Sequence, residues 1–219
     1  ADSDEAIVDL LCSRIYPARQ TIESEHVSTS HEQYAIYLSA LSLLLSHPSM
    51  KATQAVIELV STTQLGTVAS DALISQLSRT SNVDLIENLL GLLNPKQSVS
   101  ALVIIANVAG QRRCVDAFSS LVALLEVQSD IVQQSALLAL GRLGDERGLV
   151  CIENSQEQLR CPEYWALALL LLGDHSAISI LVEQLEQGLF GGHTRLGHLI
   201  GRYGGISNTL LLKKMAQDD

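Results

Sequence analysis

Apolar residues recur along the chain at the intervals of an α-helix. Within each apolar stretch they follow one another every three or four residues, which places them on one helix face. Gly, Pro, Ser, Asn or Asp bounds the stretches, as is typical of helix ends and turns. No window combines strand-like alternation with a hairpin signal. The pattern predicts an all-α chain with helices over residues 4–15, 18–27, 31–46, 49–62, 67–79, 82–93, 97–109, 112–127, 130–143, 146–158, 162–172, 175–187, 193–203 and 206–217.

The predicted helices are joined by short connections, such as His47–Pro48 and Asn94–Lys96. Connections this short make consecutive helices pack antiparallel as hairpins. No low-complexity segment or long linker interrupts them. We therefore expect a single domain over residues 1–219, with an N-terminal cap (1–30), diverged helix pairs (31–96) and clearer repeats (97–217).

The clearest repeat unit covers residues 130–145 and ends in Gly144–Asp145. A shift that brings this ending onto Gly173–Asp174 also superposes Ala139 on Ala168. The unit resembles the short HEAT-like repeat of the phycobilisome-lyase type, whose first helix carries Asp-x-x-Val-Arg-x-x-Ala-x-x-Ala-Leu-Gly-x-Leu-Gly-Asp in loose form. The Arg is absent here, and the Ala spacing slips by a residue. The resemblance implies an α-solenoid of about six to seven stacked antiparallel helix pairs.

The second helix of each unit has its own pattern. We expect a small residue four positions after the repeat glycine, where paired helices approach, and a large apolar residue four positions later. With Gly110 and Gly204 aligned on Gly144, the small positions hold Cys114, Gly148, Ala177 and Asn208, and the large ones hold Phe118, Ile152, Leu181 and Leu212. Asp145 and Asp174 stand where an N-cap carboxylate can accept from backbone N–H groups of the next helix.

Composition narrows the class of protein. The 219 residues are 47% hydrophobic but only 4% aromatic, which is typical of an aliphatic, helix-rich globular chain. Four Cys are too few and too irregularly spaced for a disulfide scaffold, so we expect reduced thiols and a cytoplasmic location. The longest apolar run, residues 164–173, is about half of a membrane-crossing helix, which predicts no membrane span. The acidic start at Ala1, without Met, suggests a trimmed chain.

The charge is unevenly distributed. A net charge of −10 disfavours contact with nucleic-acid phosphates, so we expect no nucleic-acid partner. Residues 1–50 hold seven acids against Arg14 and Arg19, whereas residues 193–217 contain basic side chains and no acid. There, Arg195, His198 and Arg202 lie among glycines and form a possible anion site. The alternative is that these glycines serve helix ends and close helix contacts.

No group of residues in the sequence is typical of a catalytic or metal-binding site. His26 and His31, like His193 and His198, are spaced so that a helix would separate each pair by about 140°. His31–Glu32 begins like a zinc-protease motif, but position 35 is Ala. No serine-hydrolase elbow, Walker motif or dinucleotide glycine pattern is present. We therefore predict no catalytic residue, no metal and no cofactor.

The remaining candidate surface is the ladder of second helices, which in HEAT-like arrays lines the concave side. Trp165 is expected to pack in the core rather than on this surface. The side chains predicted to face a protein partner are Arg112, Arg113, Asp116, Arg147, Asn154, Gln158, Ser176, Ser179, Glu183, Ser207, Leu210 and Lys214.

These features predict a non-catalytic scaffold or adaptor that binds a protein, as a peptide, helix or domain, along the ladder. Two alternatives remain open. The resemblance to bilin lyases implies a subunit acting on a chromophore-carrying protein, and the chain could also be the interaction domain of a larger multidomain protein.

Overall fold

The structure, a computed structural model, describes residues 2–24, 31–155 and 162–186. These ranges are all-α and contain no strand. They also contain one short 3-10 turn, Val115–Ala117. The helices are α1 (Asp2–Ser24), α2 (His31–Ser46), α3 (Met50–Thr62), α4 (Val68–Arg79), α5 (Val83–Leu90), α6 (Val99–Arg112), α7 (Phe118–Leu124), α8 (Asp130–Leu143), α9 (Arg147–Asn154), α10 (Pro162–Leu171) and α11 (Ala177–Glu186). The helices predicted over 193–203 and 206–217 lie outside the described residues.

Side-chain caps set the starts of four consecutive helices, α3 to α6. Each helix is preceded by a residue with extended backbone whose side-chain oxygen accepts from the N–H three residues on. The capping residues are Ser49, Thr67, Asn82 and Ser98. This hydrogen bond satisfies one of the backbone donors that a helix start leaves open. The predicted starts of these helices are confirmed to within two residues.

The prediction of two helices over 4–15 and 18–27 is wrong, because α1 is a single helix with Pro17 inside it. Proline lacks an N–H, so it leaves the carbonyl of Ser13 without its helical partner. Both Pro17 and Ser13 lie on the exposed side of α1, where water can hydrogen-bond that carbonyl. The N-terminal part is therefore one long helix that packs extensively on α2.

The prediction of a single helix over 112–127 is also wrong. Helix α6 continues to Arg112 and ends at Arg113, whose φ of 54° lies in the left-handed region. The 3-10 turn then redirects the chain before α7 begins at Phe118. Gly144 and Gly173 adopt the same left-handed backbone, with φ of 71° and 97°, after α8 and α10. Arg113 adopts the left-handed backbone that glycine adopts in the other two turns. The sequence therefore has no glycine that would mark the end of α6.

The even-numbered helices form a row in which α2 contacts α4, α4 contacts α6, α6 contacts α8, and α8 contacts α10. Beside it, α7 packs on α8, α9 packs on α8 and α10, and α11 packs on α10. The most extensive contact joins α6 to α8. A Cβ added to Gly110 would lie only 2.6 Å from the Cα of Ala139, and one added to Gly141 would lie 3.0 Å from the Cα of Ala168. Small residues thus bring three helices of the row into close contact.

These contacts revise the repeat register. Gly110 packs on Ala139 as Gly141 packs on Ala168, so Gly110 corresponds to Gly141 and not to Gly144 as predicted. Arg113 takes the place of Gly144. Four residues after each left-handed residue comes a buried small residue, and four further on a large aliphatic residue that is fully buried. The three successive pairs are Ala117 with Leu121, Gly148 with Ile152, and Ala177 with Leu181.

We expect Ser98→Ala to lower the free energy of unfolding by about 1 kcal/mol. Ser98 Oγ accepts from the N–H of Ala101 at 3.2 Å and donates to the carbonyl of Ser61 at 3.2 Å, and alanine loses both hydrogen bonds. Urea unfolding followed by circular dichroism measures the change. Ser100→Ala, in the same helical turn, is the control and should have little effect. Equal destabilisation by the two variants would contradict the capping role.

Candidate functional site

The C-terminal ends of α2, α4 and α6 lie side by side. Asn82 Nδ2 donates to the carbonyl of Leu45, at 3.3 Å, and so joins the turn after α4 to the end of α2. Arg112 Nη1, from the end of α6, donates to the carbonyls of Ser78 at 3.2 Å and Thr80 at 2.8 Å. A guanidinium is favourable there because helix C-termini carry partial negative charge. We call the side where even-numbered helices end and odd-numbered helices begin the turn edge.

The ladder residues predicted to bind a partner fall into three groups. Arg112 is half-buried and connects two helices, as described above. Gln158, Ser207, Leu210 and Lys214 lie outside the described residues, as do Arg195, His198 and Arg202 of the possible anion site. Arg113 is exposed at the end of α6, and the others are exposed in the turns before, or along, α7, α9 and α11: Asp116, Arg147, Asn154, Ser176, Ser179 and Glu183.

Arg147 links the starts of α7 and α9. Its Nε donates to both carboxylate oxygens of Asp145, at 3.0 and 3.1 Å. The same guanidinium lies 4.4 Å from the centre of the Phe118 ring, a cation–π distance. Because Phe118 begins α7 and Arg147 begins α9, this contact holds two neighbouring second helices together at the turn edge.

Asp145 and Asp174 accept backbone hydrogen bonds near the helix starts, as the sequence predicts, but neither is the N-cap residue, because Glu146 is the N-cap of α9 and α11 begins only at Ala177. Asp145 Oδ1 accepts from the backbone N–H of Arg147 at 3.0 Å, and Asp174 Oδ1 accepts from that of Ser176 at 2.9 Å. Asp174 also accepts from the Ser176 hydroxyl at 2.7 Å. Each carboxylate therefore lies at the positive end of the following helix and organises the turn before it.

The pKa of the Asp145 carboxyl is lowered from its ordinary value of 3.8. The side-chain hydrogen bond from Arg147 is the largest cause; burial opposes it, and the backbone N–H of Arg147 adds to the lowering. Since the folded-state pKa lies below the unfolded-state value, the interaction stabilises the fold above the unfolded-state pKa. That contribution is lost as the pH falls through the folded-state pKa.

We expect Arg147→Gln to raise the pKa of Asp145 toward its ordinary value, because the variant removes the charged donor of the hydrogen bond. An NMR titration of the carboxyl carbon measures the pKa directly. Arg113→Gln is the matched control: Arg113 is a second exposed arginine at the turn edge, and its loss should leave that pKa unchanged. A wild-type pKa in the Arg147→Gln chain would contradict the assigned cause.

A polar crevice of about 210 Å³ opens at the turn edge between the C-terminal turns of α2 and α4. Arg79 is the one charged residue in its lining. The residues lining the crevice are Ser42, Leu45, Ser46, Gln76, Arg79, Thr80 and Ser81. A guanidinium beside several hydroxyl groups suits a carboxylate of a partner protein. Sequence reasoning missed this group because its members come from two helices that are distant in the chain.

Cys12 and Tyr16 of α1 have raised pKa values. Burial raises the pKa of the Cys12 thiol, and the charges of Asp9 and Glu58 raise it further. Burial also raises the pKa of Tyr16 to about 12, with a smaller contribution from Glu58. A thiol that resists ionisation is a poor nucleophile. Both side chains are partly buried and pack against the hydrophobic core.

The described ranges contain neither a metal-binding cluster nor a membrane-spanning helix. Among their side chains, no group of three or more His, Cys, Asp or Glu is placed to hold a metal ion. In the same part of the chain, no helix is both long enough and apolar enough to cross a membrane.

With this geometry in view, the chain was compared with known proteins. No family model matches it. No curated protein and no solved structure matches it either. The resemblance to HEAT-like repeats therefore rests on the sequence pattern alone.

Proposed function

We propose that the chain is a HEAT-like α-solenoid that acts as a non-catalytic scaffold, binding a protein partner along α7, α9 and α11. One observation carries this proposal: each of these helices follows a left-handed residue and buries the same pair of side chains, one small and one large. Repeated anchoring presents the other sides of the three helices at regular intervals. Such periodic surfaces are what repeat proteins use for binding.

The contacts of the even-numbered row support the solenoid arrangement. Helices α4, α6, α8 and α10 each contact the preceding member of the row, and α7, α9 and α11 lie beside it. In a solenoid each unit contacts only its neighbours, so the hydrophobic core extends along the stack. The run of buried residues from α6 through α8 to α10 agrees with that expectation.

The charge of the turn edge supports an electrostatic contribution to partner choice. Arg79 and Arg113 are exposed there, and so are Asp84, Asp116 and Glu146, whereas Arg147 is paired with Asp145. An edge with charges of both signs favours a partner whose charges match it in position and disfavours a partner that brings like charges together. The charges therefore set orientation and association rate, while the polar side chains of α9 and α11 supply further contacts.

Charge reversal in a pull-down tests the scaffold proposal. The immobilised chain is expected to retain a protein partner from a lysate, and Arg147→Glu or Glu183→Arg should reduce the retained amount about tenfold. Lys96→Glu is the matched control, because Lys96 is exposed between α5 and α6, at the edge opposite the turn edge. Circular dichroism checks that each variant is folded. Equal retention by wild type and both ladder variants would contradict the proposal.

The bilin-lyase alternative is tested separately. A lyase-like subunit would change the absorbance spectrum of a bilin on mixing, and an unchanged spectrum would exclude it. The cytoplasmic location and the membership of a larger multidomain protein stay predictions.

A further inference from the structure

The outer side of α1 and α2 exposes large apolar side chains. Ile7 is 47% exposed, Leu10 59% and Leu43 59%. Between the two helices runs an open groove of about 480 Å³. Its lining is Leu11, Arg14, Glu32, Ala35, Ile36, Ser39, Ala40 and Leu43. We call these lining residues together with Ile7 and Leu10 the end face.

The end face belongs to the first helices of the array. Helices α3 and α4 pack on other sides of α1 and α2, and no helix of the described ranges covers the exposed leucines. A terminal unit of a repeat protein needs a polar outer surface to stay soluble. Contiguous exposed apolar side chains instead mark an interaction site. The exposed Ile7, Leu10 and Leu43 therefore make the end face a candidate interaction surface.

The end face is complementary to itself in shape. Leu43 projects from α2 as a large exposed side chain, whereas Ser39 and Ala35, one and two turns earlier on α2, are small and exposed. Antiparallel packing of two copies of α2 would place Leu43 of each against the small residues of the other. Small residues let helices approach closely, and a large side chain fills the space between them.

The end face is also complementary to itself in charge. Arg14 comes from α1 and Glu32 from α2, and both line the groove. A two-fold axis makes residue i of one copy meet residue j of the other, and residue j meet residue i. One copy can therefore place Arg14 near Glu32 of the second copy, and the same pair forms again on the other side of the axis.

We propose that a second copy of this chain covers the end face, forming a two-fold symmetric dimer through α1 and α2. The dimer buries Leu10 and Leu43 and pairs Arg14 with Glu32 across the interface. It leaves the ladder of α7, α9 and α11 uncovered, so the proposal does not depend on the proposed function. Its consequence is a scaffold with two identical partner-binding ladders pointing away from a central contact.

Sedimentation of the full chain over a range of concentrations tests the dimer. The wild type should change from mainly monomer to mainly dimer as the protein concentration is raised to roughly 100 µM. Leu43→Glu should abolish the shift, because it buries a carboxylate in the apolar contact. Val150→Glu is the matched control: Val150 is 60% exposed, on α9, so this variant should dimerise like the wild type. A wild type that stays monomeric would overturn the proposal and leave the end face to a different protein.

Charge exchange tests the two-fold symmetry itself. Arg14→Glu and Glu32→Arg should each weaken dimerisation about tenfold, because each places like charges together twice. The double variant with both substitutions should regain wild-type dimerisation. Failure of the double variant to recover, with helicity unchanged, would overturn the two-fold pairing.

Discussion

Gly110→Ala should lower the free energy of unfolding by about 2–3 kcal/mol. The added Cβ would lie 2.6 Å from the Cα and 3.3 Å from the carbonyl oxygen of Ala139, both backbone atoms of α8. No side-chain rotation can relieve such a contact, so α6 and α8 must move apart. Because this is the most extensive helix contact in the described part of the chain, the movement loosens packing on both sides. Urea unfolding followed by circular dichroism measures the loss.

The control for Gly110→Ala is Gly91→Ala. Gly91 follows α5 with ordinary right-handed backbone, and a Cβ there would meet its nearest atom, the carbonyl oxygen of Asn88, at 3.4 Å. The substitution reduces the freedom of the unfolded chain without a steric conflict, so stability should stay within about 0.5 kcal/mol or rise slightly. Similar stability of the Gly110→Ala chain and the wild type would show that α6 and α8 do not approach as closely as described.

Trp165→Ala should destabilise the protein by about 3–5 kcal/mol. Trp165 is 7% exposed, and its indole Nε1 donates to the carbonyl of Ile152 at 2.8 Å, which ties α10 to α9. Alanine removes the ring from the core and leaves that carbonyl without its donor. Trp165 is the only tryptophan of the chain, so unfolding must be followed by circular dichroism rather than by fluorescence.

A second substitution separates the two roles of Trp165. Trp165→Phe keeps an aromatic ring in the core but removes the indole N–H, so it should cost about 1–3 kcal/mol, less than alanine. Hydrogen exchange should show the largest loss of protection in α9 and α10, since segments of a folded protein can open locally. Unchanged stability of Trp165→Ala would contradict core packing and would favour a surface role for the ring.

The helices were predictable where their signals are local. Ser49 and Ser98 cap helices through hydrogen bonds that span three residues, and Asp145 and Asp174 accept within two residues. Such interactions depend only on the nearby sequence. The predicted break between helices near Pro17 was wrong. Whether proline ends a helix depends on whether the carbonyl that it leaves unpaired meets solvent or other helices.

The candidate site was less predictable than the helices. Exposed positions such as Ser176 and Ser179 followed from the helix pattern. Arg112 did not, because its hydrogen bonds reach carbonyls of α4. The contact of Arg147 with Phe118 depends on the spacing of two helices, and no pattern within either helix indicates it. The sequence pattern predicted which helix is the second of each pair. The packing of the helices decided which side chains of those second helices remain exposed.

By itself, the sequence determined an all-α chain, most helix starts and the repetition of small residues, because periodicity and capping act within a few residues. Only the tertiary structure decided the register of the repeats, since Arg113 takes the left-handed place of a glycine and Gly110 is aligned by its contact with Ala139. It also decided that Ile7, Leu10 and Leu43 stay exposed on the outer side of α1 and α2. Exposure is a property of the packed helices, and a helical pattern alone cannot distinguish a second buried face from an open one.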